Sequence, residues 1–160
     1  MTAEALAAHS FLSGLTVEQL DRLSALALRV QFHPGESIFR QRGVADGFYL
    51  VRKGSVKLEY EVPGQRGIEI QKIGTGELLG LSWLFAPNKW EFSATAIDVV
   101  EADFFRAIEV RAECARDPKL GYELMERIAK VLTERLQATR HKLRVFVERA
   151  TNDAGNQQVC

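Results

Sequence analysis

Few residues in this chain have the types and spacing that site chemistry needs. Its three histidines, His9, His33 and His141, stand singly, with no H-x-H or H-x-x-x-H pair to hold a metal ion. Two cysteines, Cys114 and Cys160, are too few for a disulfide framework or an iron–sulfur site, and haem ligation would fall to His141 or Cys114 alone. There is no G-x-S-x-G, no P-loop and no paired-carboxylate arrangement, so no enzyme is expected. What remains is one stretch dense in aromatic residues, GELLGLSWLFAPNKWEFSATA between Gly76 and Ala96. Trp83, Phe85, Trp90 and Phe92 bring both tryptophans of the chain into it, and Lys89 is the only cation between Lys72 and Arg106. The aromatic residues either extend a core beneath a loop or stack on a ligand. Lys89 reads as an exposed loop lysine, and Glu77 as a surface residue.

Composition narrows the classes. The 160 residues are 46% hydrophobic and 26% charged, ordinary for a globular chain, and 21 basic residues match 21 acidic ones. A neutral chain has no overall electrostatic pull toward nucleic acid or an anionic membrane. No apolar run approaches the about 20 residues that span a bilayer. The opening MTAEALAAHSFL is acidic and lacks a basic flank, unlike a signal peptide. The expectation is a reduced, cytoplasmic protein with no membrane partner.

The elements that must position the stretch follow from periodicity. Thr16 and Gln19 form a T-x-x-Q capping box before a helix bearing Leu20, Leu23 and Ala27 on one face, and residues 10–15 form a one-turn lead-in anchored by Phe11 and Leu12. From Leu28 to Phe105 short strands alternate with Gly and Pro turns. Strands are predicted at 37–39, 47–51, 55–62, 68–73, 93–98 and 100–105, with 55–62 and 68–73 alternating as half-buried strands. Many short strands with no helix between them indicate a sandwich or jelly roll, not a parallel α/β fold. After a short helix at 106–116, Asp117 and Pro118 read as the N-cap and first position of another. That helix would run to about Arg149, about 48 Å. Leu124, Ile128, Val131, Leu132, Leu136, Thr139, Leu143 and Phe146 form a seam at spacings of three and four, as a two-stranded coiled coil requires. Arg127, Lys130, Arg135, Arg140, His141, Lys142, Arg144 and Arg149 on this helix are interleaved with Glu123, Glu126, Glu134 and Glu148, which suits a solvated flank better than a nucleic-acid face.

This succession resembles the cyclic-nucleotide-binding domains of the Crp/Fnr type over roughly residues 11–149. The carriers are FLSGLTVEQLDRLSALA, HPGESIFRQRGVADGFYLVRKGSVKL, GTGELLG and ERLQATRHKL, with Pro34, Gly35, Gly43, Gly54, Gly74 and Gly80 moderately specific as a set. The resemblance implies a mainly β fold with flanking helices: a double-stranded β-helix (jelly roll) with its leading helix over 10–116, a dimer helix over 117–150, and a disordered tail over 151–160. It implies a phosphate cassette in which a Glu holds a ribose hydroxyl and an Arg neutralises a cyclic phosphate on a nest of backbone N–H groups. In this chain Leu81 stands in the place of that Glu and Phe92 in the place of that Arg. The candidate ligand positions are Leu79, Gly80, Leu81, Ser82, Lys89, Trp90, Phe92, Ser93 and Ala94, with Thr139 at the adenine-contacting position and Arg140 where a Ser would follow it. Losing two hydrogen bonds to charged groups, about 1.5–3 kcal/mol each, weakens a cyclic nucleotide by on the order of a hundredfold or more. The implied protein is a stand-alone regulatory sensor domain acting as a homodimer, with a cyclic nucleotide or another small effector as its ligand. The alternatives are a ligand-free module that docks a partner protein, and a partner of full-length Crp/Fnr-type regulators. A helix-turn-helix needs a few dozen more residues than the polar ones after Arg149, so direct DNA binding is not expected.

Overall fold

The computed structural model describes residues 2–156. Three helices and eight strands precede a long last helix. They are α1 (Ala3–Ala7), α2 (Val17–Leu26), β1 (Leu28–Phe32), β2 (Ser37–Phe39), β3 (Gly47–Lys53), β4 (Val56–Tyr60), β5 (Ile68–Ile73), β6 (Leu78–Leu79), β7 (Ser93–Ala96), β8 (Val100–Arg106), α3 (Ala107–Arg116) and α4 (Pro118–Asn156). The strands form two antiparallel sheets, ordered β1-β8-β3-β6 and β2-β7-β4-β5. This is the jelly-roll arrangement, mainly β with flanking helices. The chain divides into two compact units, the first ending at Glu123 and the second beginning at Leu124.

Both inner faces are made by the expected alternation. Val56 and Leu58 of β4 face Ala94 and Ala96 of β7, and Tyr49, Val51, Val100 and Ala102 come from the opposite sheet. Gly54 closes the β3–β4 turn at φ 91°, where a Cβ would lie 2.3 Å from the Val99 carbonyl oxygen, so only glycine fits. The alternation misleads at β5. Ile68 and Ile70 are exposed and only Ile73 is fully buried, because β5 is an edge strand with one neighbour. Three elements lie outside the sequence expectations: α1, whose Ala5 N–H is capped by Thr2 Oγ1 at 3.3 Å, and the strands β1 and β6.

The helices are tied down by polar groups. The Thr16–Gln19 capping box is complete, with Gln19 N to Thr16 Oγ1 at 3.2 Å and Thr16 N to Gln19 Oε1 at 3.0 Å. Asp117 Oδ1 accepts from Leu120 N at 3.2 Å, capping α4, and Arg22 Nη2 of α2 donates to Asp117 Oδ2 at 2.5 Å. The Leu120 N–H first, with the Arg22 guanidinium adding to it, holds the Asp117 carboxyl below its usual range. On the other side Asp103 of β8 is fully buried. Its Oδ2 meets His9 Nε2 at 2.9 Å and Arg52 Nη1 at 2.9 Å, while Oδ1 has Arg29 Nε at 3.9 Å. Arg52 also reaches the Ala5 carbonyl at 3.5 Å, so this cluster fastens the N-terminal segment to the first sheet.

The second unit is described by α4 alone. The helix passes Arg149 and continues to Asn156, which corrects the disordered tail expected over 151–160. Thr151 Oγ1 donates to the Val147 carbonyl at 2.9 Å, and backbone helical bonding propagates without a Pro to stop it. The rest of that tail lies outside the described residues, as does Cys160. Of the expected seam, Leu124 and Ile128 are buried and Val131 is partly buried. The seam that is exposed starts at Leu132 and continues through Leu136, Leu143 and Phe146, the last 70% exposed. Thr139 is also exposed, and its Oγ1 bonds the Arg135 carbonyl at 2.9 Å. Among the described residues no helix is long and apolar enough to cross a membrane, and no group of three or more His, Cys, Asp or Glu is placed to hold a metal ion.

Removing one member of a buried ionic cluster strands its partners. Asp103→Ala is expected to cost about 3–5 kcal/mol of unfolding free energy, read from urea denaturation of the purified chain.

Candidate functional site

The cassette is built outward from β6, whose Leu78 and Leu79 pair with Leu50 and Tyr49 of β3. Leu79 is buried and ends the strand. Gly80 then turns the chain at φ 94°, and a Cβ there would lie 2.9 Å from two ring carbons of Trp90. Leu81 and Ser82, both partly buried, lead into a single 3₁₀ turn over Ser82–Leu84 that carries Trp83 inward. Asn88 folds the loop back, its Nδ2 donating to the Trp83 carbonyl at 2.7 Å. The returning strand-like segment pairs with the β2–β3 loop: Arg42 N to Trp90 O at 2.7 Å, Trp90 N to Gly43 O at 2.9 Å and Ala45 N to Asn88 O at 2.8 Å.

The two tryptophans are core residues, 2% and 5% exposed. Trp90 lies flat on Phe39 with ring centroids 3.8 Å apart and planes 12° from parallel. Phe39 in turn stacks at 6.3 Å on Tyr49 of the opposite sheet, and Tyr49 meets Phe104 at 4.7 Å. Burial, with Asp46 adding to it, pushes the Tyr49 hydroxyl up to about 12, so it stays neutral within the stack. Trp83 stacks on Phe48 at 5.4 Å, and Phe48 on Phe105 at 5.0 Å. Phe85, by contrast, is 71% exposed. The four aromatic residues therefore separate: two fill the core, one faces solvent, and Phe92 is half-buried with its ring edge-on to Tyr60 at 6.3 Å.

Phe92 itself carries no charge. Lys89 is exposed, and its backbone forms an isolated bridge with Val44. Arg111, which sequence reasoning does not single out, approaches from α3. Its Nη2 donates to the Trp83 and Leu84 carbonyls at 2.7 and 3.1 Å, and its guanidinium lies 5.4 Å from the Trp83 ring centroid. That arginine clamps the outside of the turn. Ala94 is buried in the core, and Ser93 turns the other way: its Oγ donates to Glu61 Oε1 at 2.5 Å and accepts from Gln41 N at 2.9 Å. Gln41 Oε1 also accepts from Glu61 N at 2.6 Å. A carboxylate thus holds the serine that the resemblance assigns to a phosphate. The three residues are 20 to 52 positions apart in the chain, so nothing local in the sequence marks them as partners. Glu61 also lines a pocket of about 300 Å³ with Gln41, Arg42, Val62, Pro63, Gln65 and Gly67. Glu77 binds the Gly74 N–H at 2.6 Å and Glu91 is exposed. Thr139 belongs to the second unit.

The chain is a double-sheet jelly roll with a glycine-bounded turn after its sixth strand and a helix leading out of its eighth. Comparison with known proteins gives the family. The cyclic nucleotide-binding domain family matches residues 29–117, and the chain belongs to it. Over 140 residues it is 26% identical to the CRP-like cAMP-activated global transcriptional regulator of Mycobacterium tuberculosis, covering 88% of this chain and 61% of that protein. The chain therefore spans about three-fifths of that relative's length. A solved protein of Geobacter metallireducens, provisionally assigned to cyclic nucleotide binding, matches with a TM-score of 0.75 at 26% identity, over 85% of this chain and 98% of its own. A cyclic nucleotide-binding domain from Methylobacillus flagellatus agrees in fold, with a TM-score of 0.76 at 17% identity over 88% of this chain and 79% of its own.

Burial separates the aromatic positions by energy. Trp90→Ala is expected to destabilise by about 3–5 kcal/mol, whereas Phe85→Ala stays within about 0.5 kcal/mol, both measured by chemical denaturation.

Proposed function

We propose that this chain is a regulatory sensor domain whose altered cassette holds a cyclic nucleotide weakly or not at all, and that it signals as a homodimer through α4. The observation that carries this reading is the charge at the phosphate turn. Phe92 packs toward Tyr60, Lys89 faces solvent, Arg111 is bonded to the Trp83 and Leu84 carbonyls, and the Ser93 hydroxyl is bonded to the Glu61 carboxylate. An anion at the Ser93 hydroxyl would meet a carboxylate that already takes that hydroxyl's proton. Leu81 offers no acceptor to a ribose hydroxyl. The cAMP activation named for the mycobacterial relative supports the ancestry of the site, while these two substitutions argue for a different or weaker ligand.

A second reading is favoured by the burial of Trp83 and Trp90. With both rings committed to the core, the cassette is a rigid loop, and the chain acts as a ligand-free module docking a partner protein.

Calorimetry with cyclic AMP and cyclic GMP separates the readings. The unmodified chain is expected to bind neither tightly, and the Leu81→Glu/Phe92→Arg double variant to bind on the order of a hundredfold more strongly. Submicromolar binding by the unmodified chain would overturn the proposal for the cassette. For the helix, light scattering at micromolar concentration is expected to give a dimer, and Leu136→Glu with Leu143→Glu a monomer. A monomeric unmodified chain would sink the signalling part.

A further inference from the structure

The pocket that Glu61 lines is distinct from the core of the jelly roll, and its two charges are of opposite sign. Arg42 and Glu61 both face it, yet neither forms an ion pair, with the other or with any further group among the described residues. We propose that this pocket binds a small zwitterion of the α-amino-acid type, its carboxylate on Arg42 and its ammonium on Glu61.

Three observations carry the assignment. First, Arg42 is held in a conformation that a side chain rarely adopts. Its φ is 71°, a left-handed value uncommon for a residue other than glycine, asparagine or aspartate. The flanking bonds from Arg42 N to Trp90 O at 2.7 Å and from Gly43 N to Arg40 O at 3.0 Å maintain it. Strain of this kind persists where the surroundings over-determine it, and it collects at ligand clamps. The residue at this turn could have been glycine, and it is the one residue of the pocket able to take a carboxylate through two parallel N–H donors. Second, Glu61 is anchored on one side only. Oε1 takes the Ser93 hydroxyl and the Glu61 N–H is fixed to the Gln41 side chain, which leaves Oε2 for a donor from the pocket. Third, both charges lie on exposed side chains of one pocket, and a molecule with both signs is the ligand that pairs with each of them. A volume of about 300 Å³ lies at the lower end of ligand pockets, about 300–1,000 Å³, which suits a molecule smaller than a nucleotide.

The pocket is joined to the cassette by its own walls. The Arg42 N–H bonds the Trp90 carbonyl, and Glu61 bonds Ser93. A ligand that draws on both charges therefore acts on both ends of the returning cassette segment, from Trp90 to Ser93. This inference does not depend on whether the cassette itself holds a cyclic nucleotide.

The test uses the full chain and each of the common free amino acids as a probe, by thermal shift and then calorimetry. For any amino acid that binds, its α-amide and its N-acetyl derivative remove one charge each. At least one free amino acid is expected to bind, and both derivatives to bind at least about tenfold more weakly. Arg42→Asn, which keeps the left-handed backbone, and Glu61→Gln, which keeps an acceptor for Ser93, are each expected to weaken binding by a similar factor. Their unliganded melting temperatures serve as the folding control. No binding by any amino acid at millimolar concentration overturns the proposal. So does binding that the derivatives and both variants leave unchanged.

Discussion

Trp90 lying flat on Phe39 is the contact on which the rest of this domain depends. Phe39 stands on β2 and Tyr49 on β3, so the stack crosses from one sheet to the other. An indole buried to this degree excludes a large apolar area from water, at about 25 cal/mol per Å². It also dictates the turn beneath which it sits. Gly80 has no room for a Cβ because the Trp90 ring is there, and the left-handed turn at Gly80 releases β6 from its pairing with β3. Cassette, inter-sheet packing and strand ending are one packing problem with one solution.

That solution changes what the cassette can offer a ligand. Nest-type anion sites need backbone N–H groups together with a positive field. Here Phe92 is apolar, Lys89 faces solvent, and Glu61 holds the Ser93 hydroxyl. Arg111 is bonded to the Trp83 and Leu84 carbonyls. The fold is that of a cyclic nucleotide-binding domain. The urea and denaturation measurements on Asp103 and Trp90 address the frame, and the binding measurements address the cassette.

The long helix presents the other departure. Its apolar repeat reads as a single seam, but burial divides it, with Leu124 and Ile128 covered and Leu132, Leu136, Leu143 and Phe146 open to solvent. At 39 residues, about 58 Å, α4 is far longer than an isolated turn of helix needs to be. Leu132, Leu136 and Leu143 leave a row of apolar side chains exposed along it.

Much of this was legible in the residues alone. The capping box at Thr16, the Asp117–Pro118 helix start, the alternating β4 and the glycine-bounded turn all rest on interactions between neighbours in the chain, where period and spacing carry the information. That Leu81 and Phe92 stand where a Glu and an Arg are implied was read from the resemblance, and it depends only on which residues stand at which positions. What the sequence could not decide was which aromatic residue is core and which is surface. Trp83 and Phe85 sit two positions apart, and only the fold of the loop buries one and exposes the other. The exposed face of β5, the Asp103 cluster and the clasp of Gln41, Glu61 and Ser93 were likewise out of reach. Each joins groups far apart in the chain, and such contacts exist only once two sheets have closed on one another.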